Sequence, residues 1–246
     1  MKCLICHQSI TEIITWSSLF TLSSQNIQPQ ICNQCNQRLD PITGEQCRIC
    51  SRSFLELDPK FRKHDNLCTD CFNWEQNPEW QGLLTQNVSI YHYNDFLKDL
   101  LAQFKFRGDH ELVKIFALPL QTKFKQTFNQ KNPPFLIPVP LSPERQYERG
   151  FNQAKSLASL LSRQHQIAEI LERTHTEKQS KKKRSERLLT DSPFHLNSDT
   201  NLSLYKNKNL LIIDDIYTTG TTLRQIAKVL QPLSPNSIKS LTLARS

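Results

Sequence analysis

The sequence predicts an α/β domain with a mostly parallel sheet flanked by helices, preceded by a small cysteine-rich module. Two observations support this prediction. From residue 87 to the C-terminus, short apolar strands alternate with amphipathic helices, which is typical of α/β folds. All eight cysteines lie within the first 71 residues. We therefore divide the chain into a cysteine-rich module at 1–71, a linker at 72–86 that docks through two tryptophans, and the α/β domain at 87–246.

The elements of the α/β domain follow from the spacing of its apolar residues. Alternation of apolar and polar residues predicts a strand at 88–93, and helical spacing predicts a helix at 97–104. A longer amphipathic helix follows at 112–128, and Pro119 should kink it. The remaining elements are a strand at 135–140, a helix at 154–161, a strand at 209–214, a helix at 221–230 and a strand at 237–244. The strand at 209–214 contains a continuous apolar run, which is typical of a central parallel strand.

The composition indicates a folded protein with a net positive charge. Lys and Arg number 31 against 23 Asp and Glu, which gives a formal net charge of +8. No apolar run approaches the roughly 20 residues that span a bilayer. The N-terminus carries no apolar leader segment. We therefore expect a cytoplasmic protein without membrane insertion.

The cysteines form four pairs with one spacing. The pairs are Cys3/Cys6, Cys32/Cys35, Cys47/Cys50 and Cys68/Cys71. A Cys-x-x-Cys turn presents two thiolates at the separation that tetrahedral zinc requires, and two such turns complete a four-cysteine site. A reducing cytoplasm argues against disulfides. We therefore predict two structural zinc ions in a double zinc-ribbon module, and four thiolates per ion leave no open position for metal catalysis.

The spacing of the pairs favours one pairing order but leaves another open. The gaps between successive pairs are 25, 11 and 17 residues, and the third fits the usual spacing of a zinc ribbon. This favours sequential ribbons, in which the first pair joins the second and the third joins the fourth. An interleaved cross-brace remains an alternative. A disulfide knot or a redox Cys-x-x-Cys motif is the less favoured interpretation of the whole pattern.

The strand at 209–214 leads into a candidate phosphate-binding loop. Asp214 and Asp215 are adjacent carboxylates at its C-terminal end, where ligands bind in open α/β sheets. Small hydroxyl residues around one glycine follow, just before a helix: Thr218, Thr219, Gly220, Thr221 and Thr222. A helix N-terminus offers unpaired N–H groups to a phosphate, and Gly220 would let the backbone approach it. The alternative is structural, since threonine is an ordinary helix cap and paired aspartates can simply be solvated.

Two segments resemble motifs of known families. Residues 211–222 resemble the signature with which type I phosphoribosyltransferases bind 5-phosphoribosyl 1-pyrophosphate (PRPP). Residues 137–154, which run from Ile-Pro-Val-Pro-Leu-Ser to Arg-Gly-Phe-Asn-Gln-Ala, resemble a motif of the ComF family. Members of that family join a cysteine-rich zinc module to a type I phosphoribosyltransferase-like domain. The resemblance therefore covers nearly the whole chain and implies a bacterial protein that acts in DNA uptake during natural transformation.

The resemblance also implies roles for individual residues. Asp214 and Asp215 would hold the ribose hydroxyls of PRPP, and the loop from Thr218 to Thr222 would cradle its 5′-phosphate. Arg145 and Arg149 would face the pyrophosphate, and Mg²⁺ would share its charge. The alternative for both arginines is surface solubility. Asn152 and Gln153 could cap the following helix or touch the ligand.

Residues 173–187 form a strongly basic stretch, with seven Lys or Arg and two Glu. The stretch falls where phosphoribosyltransferases keep the loop that closes over PRPP. By resemblance to the ComF pattern, four residues there are candidates for ligand contact: Arg173, Gln179, Arg184 and Arg187. Contact with nucleic-acid phosphates is a second interpretation, and a plain solvated loop is a third.

These observations favour a ComF-type protein that binds PRPP with Mg²⁺ and acts in DNA uptake. The partners that the resemblance implies are PRPP, single-stranded DNA and a ComFA-type DNA translocase. One alternative is an active phosphoribosyltransferase with an unidentified acceptor. Another is a non-catalytic adaptor that binds single-stranded DNA for the translocase. A transcriptional regulator that responds to PRPP ranks last, since the sequence shows no helix-turn-helix.

Overall fold

The cysteine-rich part consists of short elements around its Cys-x-x-Cys turns. The structure is a computed structural model, and it describes residues 1–10, 30–55, 57–105, 109–128, 131–161, 166–174 and 192–246. The elements here are helix α1 (Asn33–Gln37), strands β1 (Arg62–Lys63) and β2 (Leu67–Cys68), helix α2 (Thr69–Glu75), and 3₁₀ turns at Pro59–Phe61 and His64–Asn66. Strands β1 and β2 pair antiparallel. Helix α2 begins between the last two cysteines and crosses the boundary that the sequence predicts at residue 71.

The α/β part contains six further strands and five further helices within the described residues. In chain order they are β3 (Gln86–His92), α3 (Asp95–Phe104), a 3₁₀ helix (Asp109–Phe116), α4 (Ala117–Thr127), β4 (Phe135–Pro138), α5 (Pro143–Arg149), α6 (Gln153–Ser159), β5 (Leu171–Arg173), β6 (Phe194–Leu196), β7 (Asn209–Tyr217), α7 (Thr221–Leu230) and β8 (Ser237–Arg245). A short 3₁₀ turn at Leu202–Tyr205 precedes β7, and another at Gln231–Leu233 follows α7. Side-chain caps begin three of the helices, from Asn94 for α3, Ser142 for α5 and Asn152 for α6.

The central sheet has four parallel strands in the order β3-β8-β7-β4. The continuous apolar run predicted for a central strand is β7, which pairs with β8 on one side and β4 on the other. Parallel strands place their carboxyl ends at one edge of the sheet. The ends of β4 and β7 therefore meet, and Val139 N–H donates to the carbonyl of Ile213 across them, at 3.0 Å. The predicted mostly parallel sheet is confirmed.

The two faces of the sheet are covered by different parts of the chain. On one face, α3, α4, α6 and the 3₁₀ helix pack their apolar residues against β3, β7 and β8. On the other face, α7 packs beside Cys47, Cys50, Cys68 and Cys71, which belong to the same buried cluster as Ile212 and Ile226. The cysteine-rich part thus supplies core to the α/β domain.

Hydrogen bonds also join the cysteine-rich part to the sheet. Residues 40–42 run antiparallel to β3, where Ile42 N–H donates to Ile90 O and His92 N–H donates to Asp40 O. The Ser51 hydroxyl donates to Asn87 O at 2.9 Å. Beneath it lies a fully buried polar network of Asn87, Ser89, Ser240 and Thr242. Because these buried polar groups are mutually satisfied, they fix the position of the turn that carries Cys47 and Cys50.

Three features differ from the sequence prediction. The predicted helix at 112–128 is a 3₁₀ helix followed by α4, so the break lies at residues 116–117. Pro119 does not kink a helix, because it lies in the first turn of α4, where no N–H is required. Strand β7 continues to Tyr217, so Asp214 and Asp215 lie within it. The antiparallel pair β5–β6 has no counterpart in the prediction.

None of the helices in the described ranges has the length and apolar character needed to cross a membrane.

Candidate functional site

The paired carboxylates lie at the carboxyl end of β7. Asp214 and Asp215 are both half-buried, and Asp215 N–H donates to Asp214 Oδ1 at 2.9 Å. Burial and the neighbouring charge of Asp215 raise the pKa of Asp214 well above its ordinary value. Lys105, at the C-terminus of α3, forms an ion pair with Asp215. Two carboxylates held side by side with one cation are suited to bind hydroxyl donors or a second cation.

Replacing Asp214 with Asn is expected to stabilise the fold at neutral pH. Because the pKa of Asp214 is higher in the folded than in the unfolded protein, its ionisation lowers stability as pH rises from the ordinary value to the raised one. Asn keeps the oxygen that accepts from Asp215 N–H but carries no charge. The free energy of unfolding of Asp214→Asn should therefore exceed that of the wild type by more at pH 8 than at pH 5. Urea denaturation at both pH values measures this difference, and a variant less stable than the wild type at pH 8 would contradict it.

Two arginines, Arg149 and Arg173, interact with these carboxylates, and a third, Arg145, lies near both of them. Arg145 and Arg149 lie on α5, and Arg173 lies at the end of β5. Burial lowers the pKa of Arg149, and the positive charge of Arg145 lowers it further. The negative charge of Asp215 raises this pKa but does not outweigh burial. Burial likewise lowers the pKa of Arg173, and the positive charges of Arg145 and Arg149 lower it further. The negative charge of Asp214 raises this pKa by less. Guanidinium groups that repel one another at a partly buried site favour an anion with several charges.

The supporting residues explain how these arginines are held. The Arg149 guanidinium donates to Gln153 Oε1 at 2.7 Å. Arg173 lies over the ring of Phe194, on the neighbouring strand β6, at 5.2 Å from its centroid. Asn152 accepts from Lys155 N–H as the cap of α6 and donates to Val139 O. Of the two roles left open by the sequence, Asn152 therefore has the capping role, and Gln153 orients Arg149.

The predicted phosphate loop connects β7 to the N-terminus of α7. Thr218, Thr219 and Thr222 are exposed, Thr221 is half-buried, and the hydroxyls of Thr219 and Thr221 are 2.9 Å apart. No side chain other than Thr219 Oγ1, at 3.4 Å from Thr221 N, reaches the first N–H groups of α7 in the described structure. An exposed helix N-terminus with hydroxyl groups around it is suited to bind phosphate.

Gly220 has a structural role that the sequence did not predict. Its φ is +80°, and a Cβ there would lie less than 3.0 Å from Tyr217 Oη and Arg224 Nη1. The prediction that Gly220 serves ligand approach is thus incomplete, because the protein's own side chains already fill the space beside it. Outside the loop, Trp74 Nε1–H donates to Thr219 O at 3.1 Å. The loop is therefore packed from its inner side while its threonines face outward.

Sequence reasoning missed two residues here, and three predicted ones fall outside the described residues. Lys105 follows the last apolar residue of α3, where nothing in the pattern separates it from a solvated lysine. Arg224 lies on the apolar face of α7 beside Leu223 and Ala227, and a charged residue at a core position was a usable signal. Gln179, Arg184 and Arg187 lie outside the described residues, as does most of the basic stretch.

The eight cysteines form two clusters that fit metal ions. Cys3, Cys6, Cys32 and Cys35 make the first cluster, and Cys47, Cys50, Cys68 and Cys71 make the second. Within each cluster the sulfur atoms lie within 4.8 Å of one another, which confirms the sequential pairing over the interleaved one. The Cys6–Cys32 and Cys50–Cys68 sulfur separations are 3.7 and 3.6 Å. A tetrahedron with bonds of about 2.3 Å has edges of about 3.8 Å, so the geometry suits a four-thiolate ion.

Burial distinguishes the two clusters. The second cluster is wholly buried, whereas Cys6 is exposed and Cys32 half-buried in the first. In the second cluster, hydrogen bonds with the other three thiols lower the pKa of Cys47 and raise that of Cys71. Four thiols so close cannot all ionise without a cation among them. This donor set could therefore hold a divalent cation.

Comparisons with known proteins agree with this architecture. Residues 122–246 match the phosphoribosyl transferase domain family. The chain is 38% identical over 245 residues to competence protein ComFC of Bacillus subtilis, covering 99% of this chain and 95% of that protein. It is 34% identical over 245 residues to competence protein ComFC of Streptococcus pneumoniae, covering all of both chains. DNA utilization protein YhgH of Escherichia coli K12 is 28% identical over 218 residues, covering 82% of this chain and 91% of that protein.

Proposed function

Because the chain belongs to the ComF family of competence proteins and carries a phosphoribosyl transferase domain, we propose that it binds PRPP with Mg²⁺ and acts in DNA uptake. The observation that carries the proposal is the convergence of Arg149 and Arg173 with Asp214 beside an exposed helix N-terminus. PRPP has an anionic group at each end of a ribose. A site with two anion-binding parts on either side of two carboxylates matches that arrangement.

Each part of the site has one role in this proposal. The N–H groups and hydroxyls at the start of α7 bind the 5′-phosphate, since a helix N-terminus carries partial positive charge. Asp214 and Asp215 accept hydrogen bonds from the two ribose hydroxyls, and Lys105 limits their mutual repulsion. Arg145, Arg149 and Arg173 bind the pyrophosphate together with Mg²⁺, which prefers phosphate and carboxylate oxygens.

A test of this assignment compares three probes on one variant. Arg149→Gln removes a guanidinium and should weaken PRPP and inorganic pyrophosphate by on the order of tenfold or more, the value of one charge-assisted hydrogen bond. Ribose 5-phosphate, which has no pyrophosphate, should bind with unchanged affinity. The matched control is Arg62→Gln, because Arg62 pairs with Glu45 in the cysteine-rich part. Calorimetric titration measures all three, and an equal loss for ribose 5-phosphate would contradict the assignment.

The proposed role in DNA uptake is inferred from the names of the relatives, which are competence and DNA utilization proteins. As an adaptor, the protein would bind single-stranded DNA in a salt-dependent manner, and neutralising Lys181 to Arg184 would weaken that binding. Replacing Asp214 would leave it unchanged. A DNA translocase of the ComFA type is the partner that we propose.

Catalytic transfer is the second form of the proposal. Here the phosphoribosyl group would move to an acceptor and pyrophosphate would be released. Release that depends on Asp214 and Asp215 and on added single-stranded DNA would identify the acceptor class as nucleic acid. In the adaptor form, PRPP stays intact while bound.

The proposed resident metal is zinc in both cysteine clusters. Four cysteine thiolates at tetrahedral spacing are the usual donor set of structural zinc, and they leave no position for a reacting water. Each ion would then hold two Cys-x-x-Cys turns together and supply folding energy to short elements that bury little apolar surface themselves.

A further inference from the structure

Two arginines of the α/β domain lie against the second cysteine cluster. Arg224, on α7, is 0% exposed, and Arg245, at the end of β8, is 5% exposed. The Arg224 guanidinium interacts with the hydroxyl of Tyr217 and with the thiol of Cys71. The Arg245 guanidinium interacts with the thiol of Cys50. Each guanidinium therefore has one thiol of the cluster as a close partner.

The charges of this assembly balance when a divalent metal is bound. A dication with four thiolates carries a net charge of −2, and the two guanidinium groups carry +2. Buried charges persist only when they are paired. Three guanidinium nitrogens, Nε and Nη2 of Arg224 and Nε of Arg245, are buried without a hydrogen-bond partner among the described residues. With metal bound, the thiolates of the second cluster would supply the negative charge that these buried nitrogens lack.

The same two arginines contact the start of the phosphate loop. Arg224 donates from Nη1 to Tyr217 Oη at 2.7 Å. Arg245 lies over the Tyr217 ring, 4.8 Å from its centroid, and donates from Nη1 to Tyr217 O at 3.4 Å. Tyr217 is the residue at which β7 ends and the loop begins. The loop therefore starts from a tyrosine held between two groups that bind the cluster.

A second connection reaches the middle of the loop. Trp74 lies on α2, three residues after the ligand Cys71. The Arg224 guanidinium lies over its ring at 4.7 Å from the centroid, and its Nε1–H donates to Thr219 O. Trp74 also packs edge-to-face against Trp80, at 5.5 Å between centroids. The start and the middle of the loop are thus attached to residues that contact the second cluster or lie close to it in the chain.

We propose that the second metal site controls the phosphate loop, and that Arg224, Arg245 and Trp74 are the positioning residues that connect them. With metal bound, the thiolates hold both guanidinium groups and Trp74 in place, and the loop keeps the conformation that exposes its threonines and helix N–H groups. Loss of the metal leaves two buried cations beside Tyr217 and releases the loop. The proposal deepens the assignment of PRPP to this site and rests on it for its functional consequence.

The test measures the loop and the metal separately in the zinc-loaded full chain. Hydrogen exchange followed by mass spectrometry reports the amides of 217–222, normalised to the buried part of β7. Transfer of zinc to a coloured chelator reports metal retention. Arg224→Met should speed both loop exchange and zinc release by about tenfold or more, the usual effect of removing a group hydrogen-bonded to a metal ligand. Arg224→Lys, which keeps the charge, should restore zinc retention in part.

A second test variant and a control complete the experiment. Trp74→Phe removes the hydrogen bond to Thr219 and keeps an aromatic ring beneath Arg224, so it should speed loop exchange about fivefold, the effect of losing one hydrogen bond of about 1 kcal/mol, with zinc release unchanged. It decides the question if Arg224→Met fails to fold. The control is Lys114→Gln, in the 3₁₀ helix at Asp109–Phe116, where Lys114 pairs with Glu111 at the surface. This control should change neither measurement.

The outcomes separate this proposal from the assignment of PRPP. Unchanged loop exchange in both Arg224→Met and Trp74→Phe overturns the coupling, whether or not PRPP binds. Faster loop exchange in the variants, together with a wild type that binds no PRPP, supports the coupling and overturns the PRPP assignment. A loss of PRPP affinity that parallels loop exchange across the variants supports both.

Discussion

Replacing Gly220 with Val is expected to destabilise the protein by roughly 3–5 kcal/mol and to abolish phosphate binding at the loop. The residue has φ of +80°, which a β-branched side chain does not adopt without strain. The added carbons would also overlap Tyr217 Oη and Arg224 Nη1. Both partners are buried and connected to the second cysteine cluster, so neither can move without cost. Denaturation in urea measures the loss of stability.

A second glycine provides the control for backbone strain. Gly82 has φ of +71°, but a Cβ there would have no atom within 4 Å. Gly82→Val should therefore lose only the backbone contribution, on the order of 1–2 kcal/mol. The difference between the two variants isolates the overlap with Tyr217 and Arg224. Equal losses at the two positions would show that the packing inside the loop has no energetic importance.

Replacing Cys50 with Ser is expected to destabilise the whole protein, whereas replacing Cys32 should have a smaller effect. Both variants should lose one metal equivalent, because each cluster has four ligands. Cys50 is buried in the core beneath α7, and its loss leaves the Arg245 guanidinium buried without its partner. Removing one member of a buried ionic group costs about 3–5 kcal/mol. Cys32 is half-buried in a cluster with an exposed member, so solvent can compensate there.

Metal content by atomic emission and thermal denaturation measure the two parts of this prediction. We expect one remaining equivalent in each single variant, with the melting temperature of Cys50→Ser well below that of Cys32→Ser. Two remaining equivalents in either variant would contradict the assignment of the cysteines as ligands. A melting temperature for Cys32→Ser as low as for Cys50→Ser would contradict the difference in burial as the cause.

The sequence predicted those features that depend on local pattern. The apolar run of β7 identified a central strand, because burial on both faces leaves no polar alternation. Four identical cysteine spacings predicted two four-cysteine clusters, because a Cys-x-x-Cys turn is a local geometric unit. Asp214, Asp215 and the threonine loop were located for the same reason, since a strand, a turn and a helix follow one another directly in the chain.

The features that the sequence did not predict depend on contacts between distant residues. Trp74 and Thr219 are 145 positions apart, and no periodicity within either segment indicates that they meet. The contact of Arg245 with the Cys50 thiol likewise joins the last strand to a turn near the N-terminus. Pro119 was misplaced for a local reason, because helical spacing does not distinguish a 3₁₀ helix followed by an α-helix from one kinked helix.

Calorimetric titration of the zinc-loaded chain with PRPP and Mg²⁺ tests the central claim most directly, comparing the wild type with the double variant Asp214→Asn/Asp215→Asn. We predict saturable binding at one site per wild-type chain, and a loss of affinity on the order of a hundredfold or more in the variant, which lacks two charge-assisted hydrogen bonds. The variant should remain folded, since removing the charge of Asp214 favours the folded state. Equal affinity in the two proteins, or no binding by the wild type, would contradict the assignment of this site to PRPP.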